Sequence, residues 1–316
     1  MIHIKLITYM RKTEYFNSGL QNICDILYKI DQNLECVVFT DEPRDFFYNN
    51  RIVITNQVYP GTKYVRLLKL INEEKEDCLF ISIYNDMLVN DIEFTKYVKQ
   101  CIELNVDFSW ARLMAQNCNG IISKLIAVDK LLSHNLIRPL LWKSGLGLSI
   151  PGQCFIIKPK VFKDKLYEID TFLDDLALGA FVNENFETLN VYISNSIIGF
   201  EFPNNTFMGL CRQRKRWAKG FFQVLQSSKG KSFFGKVCVH GIVYHGNWLM
   251  NWLIALIVSK ISIIFSVIYI CFISGIITYK KKRYFFWGIL YQFVFPVFHI
   301  VWTYNLIRGE KNNDNA

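Results

Sequence analysis

From Val243 to Thr278 the chain is almost wholly apolar, interrupted chiefly by Asn247, Asn251 and Lys260, and a second apolar run extends from Tyr284 to Ile307. A helix needs about 20 such residues to cross a hydrocarbon core of about 30 Å. Two runs of this length in succession argue against ordinary buried helices of a soluble domain. Two topologies compete. In one, residues 243–259 and 261–279 are short spans joined by a tight turn at Lys260, and 284–306 is a third span. In the other, residues 243–260 lie in the interface as an amphipathic helix and only two helices cross. A lysine at mid-membrane costs about 2.5 to 3.5 kcal/mol, so both schemes put Lys260 at a boundary. The cluster Lys280, Lys281, Lys282, Arg283 favours three spans, which return it to the side of the preceding soluble region, as the positive-inside rule requires. The expected division is a soluble domain at 1–230, an amphipathic linker at 231–246, a membrane domain at 247–307 and a polar tail at 308–316.

With 51% hydrophobic and 20% charged residues, 316 positions accommodate one soluble domain of ordinary size plus that membrane part, and exclude a disordered chain. Met1 to Lys12 alternates apolar and polar residues without the apolar core of a signal peptide, so the chain is expected to start in the cytosol. Nine cysteines are scattered with no C-x-x-C pair, which argues against a zinc site or a disulfide framework and for small apolar residues in a reducing compartment. The formal net charge of +9 is concentrated beside the late apolar segments. Anionic lipid or a phosphorylated substrate explains that placement better than nucleic acid.

The first two hundred residues alternate strand and helix signals. Ile2–Tyr9 reads as a strand, about 18–30 as a helix with Leu20, Ile23, Leu27 and Ile30 on one stripe, and Val37–Phe39 as a second strand. Leu79–Ile83 is a third, buried strand, and a helix is expected at about 92–105. Such alternation predicts an α/β fold with a mixed, mainly parallel sheet, which binds ligands beyond the carboxyl ends of its strands. Asp41 and Asp45 sit at such an end, in a segment that also fits a solvated turn. Gly61-Thr62-Lys63 opens a helix, and Tyr84-Asn85-Asp86 follows the third strand. Gly145-Leu146-Gly147 and Pro151-Gly152 form a loop feeding a further strand. Thr171 and Asp174 have the spacing of a capping box, which accounts for Asp174 but not for Asp175.

Downstream, Gln213, Arg216 and Trp217 stand at i, i+3 and i+4. On a helix, an amide, a guanidinium and an indole then share one face, while Arg214 and Lys215 point elsewhere. The guanidinium is a fork matched to phosphate oxygens and the indole a flat platform for a ringed group. A basic, solvated helix face is the plain alternative. These residues resemble the Q-x-x-R-W motif of the membrane-bound family-2 glycosyltransferases, the group of the cellulose, chitin and hyaluronan synthases. Pro203 before the motif, Gly220 after it, the Asp174-Asp175 pair upstream and the apolar runs downstream follow that family's order.

The resemblance implies a soluble GT-A type nucleotide-sugar domain followed by C-terminal transmembrane helices, in an integral membrane protein whose catalytic domain is cytosolic, at the plasma membrane if the source is bacterial. It implies an inverting transfer from a nucleotide-sugar donor, UDP-linked, to a growing polysaccharide, or alternatively to a lipid acceptor such as a polyprenyl phosphate or sphingolipid. Asp175 takes the place of the general base. Asp41, Asp45, Lys63, Asp86 and Arg216 fall at donor positions, and Gln213, Trp217 and Asp174 at acceptor positions. Mg²⁺ or Mn²⁺ would be held at Asp86, with Tyr84 standing where the family has its first metal acid. That substitution motivates the rival of a non-catalytic nucleotide-binding relative. Membrane lipids are expected partners, and a thin membrane domain suggests an oligomer or export partner.

Overall fold

The computed structural model describes residues 3–46, 52–169, 171 and 173–308. Chain packing divides them into two units, Met1–Met114 with Leu148–Phe202, and Ala115–Gly147 with Pro203–Ala316. In chain order the elements are β1 (His3–Tyr9), α1 (Ser18–Tyr28), β2 (Glu35–Phe39), β3 (Val53–Gln57), α2 (Lys63–Glu73), β4 (Cys78–Ile83), β5 (Leu88–Val89), α3 (Asp91–Glu103), β6 (Phe108–Ala115), α4 (Ile121–Leu132) and α5 (Arg138–Lys143). They continue with β7 (Cys154–Ile157), α6 (Pro159–Phe162), α7 (Asp174–Glu184), β8 (Val191–Glu201), α8 (Phe207–Ser227), α9 (Phe234–Gly241), α10 (Asn247–Ile261), α11 (Ile263–Thr278), α12 (Phe285–Val294) and α13 (Pro296–Arg308).

The first unit is built on a mixed sheet in the order β3-β2-β1-β4-β7-β6-β8-β5. Its β3-β2-β1-β4 half is parallel, with Ile7 opposite Val37 and Ser82, and β7 then runs antiparallel to β4. All six residues of β4 are buried, as expected for a central strand covered on both faces. Leu20, Ile23, Cys24 and Leu27 of α1 pack into the same core as Leu6, Val38 and Ile81. Asn17 caps this helix, its side-chain oxygen accepting from Leu20 N at 2.9 Å. All nine cysteines are free thiols. The helix α7 is apolar all round because it is enclosed all round: Leu176 to Val182 are buried. A Cβ on Gly179 would stand 1.7 Å from the Leu148 carbonyl oxygen, so only hydrogen fits there.

The second unit is helical. Thr206 caps α8, its hydroxyl oxygen accepting from Gly209 N. The last helix α13 packs along α8, with Trp302 5.6 Å from Phe221 between ring centroids. From Phe234 to Ile261 the chain forms 28 residues of helix, within which an 18-residue stretch has a mean hydropathy of 1.3, long and apolar enough to cross a membrane by length and composition. Extended backbone at Ser262, with φ −161° and ψ 131°, ends it. There the chain doubles back, since Ser266 Oγ donates to Ala255 O at 3.1 Å and Tyr269 OH to Asn251 Oδ1 at 2.9 Å. Thus α10 and α11 form an antiparallel hairpin with Lys260 exposed at its tip. Leu249, Met250, Leu256 and Ile257 of α10, and Ile263, Ile264, Val267 and Phe272 of α11, are exposed.

The expected single span at 284–306 takes a different form. Pro296 has no N–H to continue the helical ladder, and α12 gives way to α13 around it. One face of this broken helix is internal, with Tyr291, Phe295, His299 and Trp302 all buried. The expected stretch at 231–246 contains α9 and a π-helical turn, Ile242–Gly246, leading directly into α10.

Gly179→Ala is expected to lower stability by about 3 kcal/mol or more, at or beyond the upper end of ordinary overpacking, because its obstacle is a backbone carbonyl. Thermal unfolding followed by circular dichroism measures it, and a midpoint equal to that of the parent chain would refute the enclosed packing of α7.

Candidate active site

At the carboxyl end of the parallel strands a single ammonium gathers the surrounding segments. Lys63 is the first residue of α2, and its carbonyl accepts from Tyr9 OH at 2.8 Å, which ties the start of α2 to the end of β1. Its Nζ lies 3.0 Å from Asp174 Oδ2 and donates to Gly152 O at 3.0 Å. The same Nζ sits 3.9 Å from the Tyr84 ring centroid and 5.2 Å from that of Tyr9. The Lys63 and Asp174 side chains are only 14% and 6% exposed. A buried ammonium survives here because a carboxylate, a carbonyl and an aromatic face replace its water. The sequence placed Lys63 on the donor side and Asp174 on the acceptor side; the structure brings them together.

The expected Thr171–Asp174 capping box is not formed. Leu173 occupies the N-cap position, Thr171 Oγ1 accepts from Leu173 N at 3.0 Å, and Asp174 turns to Lys63. A full positive charge in a water-poor setting is a stronger partner for a carboxylate than a backbone amide. Asp175, next along α7, is half-buried, and its Oδ1 accepts from Leu176 N at 2.9 Å. A Cβ on Gly152 would stand 3.1 Å from Asp175 Cβ, so the bare backbone of Gly152 admits this side chain. Lys63, Tyr84, Gly152, Asp174 and Asp175 therefore form one cluster. Burial and the Asp174 and Asp175 carboxylates push the Tyr84 phenol well above the ordinary tyrosine range, so it remains a neutral hydroxyl.

Asp86 lies at the same edge, beyond β4. Leu88 of β5 pairs with Phe200 of β8, and Val89 with Gly199, so the residues just before β5 face the end of β8 at Glu201. Gln153 Nε2 donates to Glu201 Oε2 at 2.6 Å. Although Asp86 is solvent-exposed at its rim, desolvation by the surrounding protein and then the Glu201 charge raise its pKa above the usual aspartate value. Among the described residues no three His, Cys, Asp or Glu side chains cluster around a metal-sized site. The donor set nevertheless fits a hard divalent cation of the kind held by one or two carboxylates and substrate phosphate oxygens, and the repulsion on Asp86 is what such a cation relieves. Tyr84 supplies no carboxylate.

Two further donor candidates lie at this end. Asp41 is bound to the Arg66 guanidinium at 2.5 Å, and Arg66 also donates to Thr40 O at 3.3 Å. Asp45 is exposed beyond β2.

In the helical unit, Gln213, Arg216 and Trp217 fall within α8, as the spacing requires, with Arg216 exposed and the other two half-buried. Sequence reasoning left Arg214 aside, yet it is the buried member of the motif. Its guanidinium bonds Asp129 Oδ2 at 2.9 Å and packs between the Trp217 ring, 4.6 Å away, and the Phe295 ring, 4.8 Å away. Tyr291 OH donates to the other oxygen of Asp129 at 2.9 Å. Asp129 lies on α4 and Tyr291 on α12, so this network pins α8 to both. No sequence spacing connects positions 129, 214 and 291.

No family model matches the chain, and no curated protein matches it. Solved structures do. The mannosyltransferase PcManGT from Pyrobaculum calidifontis, in complex with GDP-Man and Mn²⁺, is 12% identical with a TM-score of 0.50, over 98% of this chain and 88% of that one. TarS 1–349 of S. aureus in complex with UDP-GlcNAc is 12% identical with a TM-score of 0.48, over 98% and 93%. Against a longer TarS structure, at 12% identity and a TM-score of 0.44, the match covers 73% of this chain, which spans 40% of that protein's length. The mixed sheet with its parallel half is the GT-A type fold of nucleotide-sugar glycosyltransferases.

Lys63→Met is expected to cost about 3 to 5 kcal/mol, because it strands the Asp174 carboxylate in a buried site. Adding Asp174→Asn removes that charge and recovers most of the loss. Melting temperatures of the two single variants and the double variant test this, and strictly additive losses would show that the two side chains do not act as a pair.

Proposed function

We propose that this protein is an inverting glycosyltransferase that moves a sugar from a nucleotide donor, UDP-linked by the family resemblance, to a growing polysaccharide at a membrane. One observation carries the reading: Asp175 stands at the first turn of α7, admitted by the bare backbone of Gly152, at the ligand-binding edge of a GT-A type sheet. The helix N-terminus favours its ionised form, which a general base must have to receive a proton. In the proposed reaction Asp175 takes the proton of the acceptor hydroxyl as that oxygen attacks the anomeric carbon from the face opposite the leaving diphosphate. The bond to the diphosphate breaks in the same step, and the configuration inverts.

Lys63 and Asp174 act as a unit in this reading. Their ion pair holds the start of α7 against α2, which orients the neighbouring Asp175. Asp86, with Glu201 beside it, would hold the divalent cation, which supplies positive charge to the donor's diphosphate. Arg216 is proposed to neutralise charge on the departing diphosphate, and Gln213 and Trp217 to carry the acceptor, with the indole as its platform. Asp41 and Asp45 are proposed to face the nucleotide's base or ribose. The helix Phe234–Ile261 and the exposed apolar hairpin support anchoring in a membrane, and the family resemblance implies a cytosolic sheet domain. The same exposed faces favour, as a second reading, a lipid-linked acceptor.

Asp175→Asn is expected to reduce transfer by about 10²- to 10⁴-fold, the usual worth of a general base, while nucleotide binding is retained. Membranes incubated with labelled UDP-sugars and Mg²⁺ or Mn²⁺ provide the assay, and full activity in that variant would remove Asp175 from the chemistry. Product held at the top of a gel marks a polymer, whereas extraction into organic solvent marks a lipid. Chelation of divalent ions and Asp86→Ala are both expected to weaken donor binding, measured by calorimetry. Equal donor affinity with and without metal would remove the cation from Asp86.

A further inference from the structure

A cavity of about 360 Å³ lies inside the helical unit, outside every group given a role above in the transfer reaction. Its lining includes Leu132 and Leu136, Ile273, Ile276 and Ile277 of α11, and Phe295 with Pro296. Asn251, Tyr291, Gln292 and Trp248 also reach the wall, but they spend their polar groups within the protein. Gln292 Nε2 donates to Ser274 Oγ at 2.7 Å and Ile270 O at 3.0 Å, and its Oε1 accepts from Asn251 Nδ2 at 3.2 Å. Asn251 Oδ1 accepts from Tyr269 OH at 2.9 Å, Trp248 Nε1 donates to His245 O at 2.7 Å, and Tyr291 OH is held by Asp129. Asn247 and His299 complete a wall that otherwise presents carbon.

A water needs two to four polar partners, and a wall that is mostly carbon, with the polar groups of Trp248, Asn251, Tyr291 and Gln292 engaged elsewhere, suits an apolar guest. At about 30 Å³ for a water-sized group, the space has the volume of roughly a dozen of them. That matches most of one fatty-acyl chain, whereas a polyprenyl chain, several times longer, would leave most of its length outside. The hairpin of α10 and α11 that forms much of the wall also exposes Leu249, Met250, Leu256, Ile257, Val267 and Phe272 on its outer side. Lipid tails are the apolar groups such a surface meets.

We propose that this cavity holds one acyl tail of a bilayer lipid. The tail completes the packing among α4, α11 and α12 and braces the Tyr291 and Phe295 side chains that grip the Asp129–Arg214 pair beneath the α8 motif. The proposal rests on the membrane placement above and is independent of the catalytic role of Asp175.

The test uses the purified full chain in detergent micelles, titrated with phosphatidylglycerol brominated on its acyl chain, with tryptophan fluorescence as the readout. Trp248→Phe isolates the share of quenching that belongs to Trp248 at the cavity wall. The expected result is saturable quenching of Trp248 at one lipid per chain, with apparent affinity reduced at least tenfold in Ile273→Phe and, separately, in Leu136→Phe. Non-saturable quenching of Trp248 in the parent chain overturns the proposal whatever the variants do, as does equal affinity in parent and folded variants. Competition by polyprenyl phosphate but not by phosphatidylglycerol overturns the acyl assignment. Retention of the chain in carbonate-washed membranes without Trp248 quenching sinks the cavity proposal and leaves the membrane anchor standing.

Discussion

A lysine ammonium largely withdrawn from water is the constraint on which the candidate catalytic edge depends. Lys63 has replaced its hydration with Asp174, the Gly152 carbonyl and the Tyr84 ring, and each of these comes from a different segment of the sheet unit. Removing any one partner leaves a charge in a medium that solvates it poorly. Electrostatics therefore ties positions 63 and 174 to the segments around 84 and 152, which the sheet also joins through a bond from Tyr84 N to Gln153 O at 3.0 Å. Asp175 inherits its position from that arrangement, as does the glycine that makes room for it. Tyr84, which looks like the loss of a metal acid when compared with family-2 enzymes, has a definite structural employment as the aromatic face over Lys63.

The motif helix shows a related division of labour. Of its three arginines, Arg212 and Arg216 are exposed and Arg214 is buried, bonded to Asp129 and stacked against Trp217 and Phe295. The buried one fixes where α8 lies in its own unit, and so determines where Gln213, Arg216 and Trp217 can present themselves. A guanidinium suits this task because its flat faces stack on rings while its edge donates to a carboxylate.

The apolar C-terminal segments serve two solvents at once. Along α10 and the first part of α11 many large apolar side chains face outward, Ile277 near the end of α11 is buried, and along α12 and α13 one face closes over the Arg214 network. A hydropathy average treats both kinds of apolar residue alike. That is why the two runs suggested simple spans, and why the kink at Pro296 and the buried faces of Tyr291 and Trp302 were not legible in it.

The amino-acid sequence by itself determined the period of each element: the buried strand at Leu79–Ile83, the stripes of α1, the helical spacing of Gln213, Arg216 and Trp217, and the turn beside Lys260. These follow from local patterning, which acts over a few residues. It also nominated side chains for chemistry, because carboxylates, a lysine and an arginine–tryptophan pair are recognisable anywhere. The tertiary structure alone decided their partners. Asp174 had a complete local explanation as a helix cap and still went to Lys63, more than a hundred positions away, and Arg214 found Asp129 and Tyr291 across comparable distances. Local hydrogen bonds are set by spacing along the chain, but the pairing of buried charges is set by which segments the sheet and helices bring together, and a linear sequence does not display that.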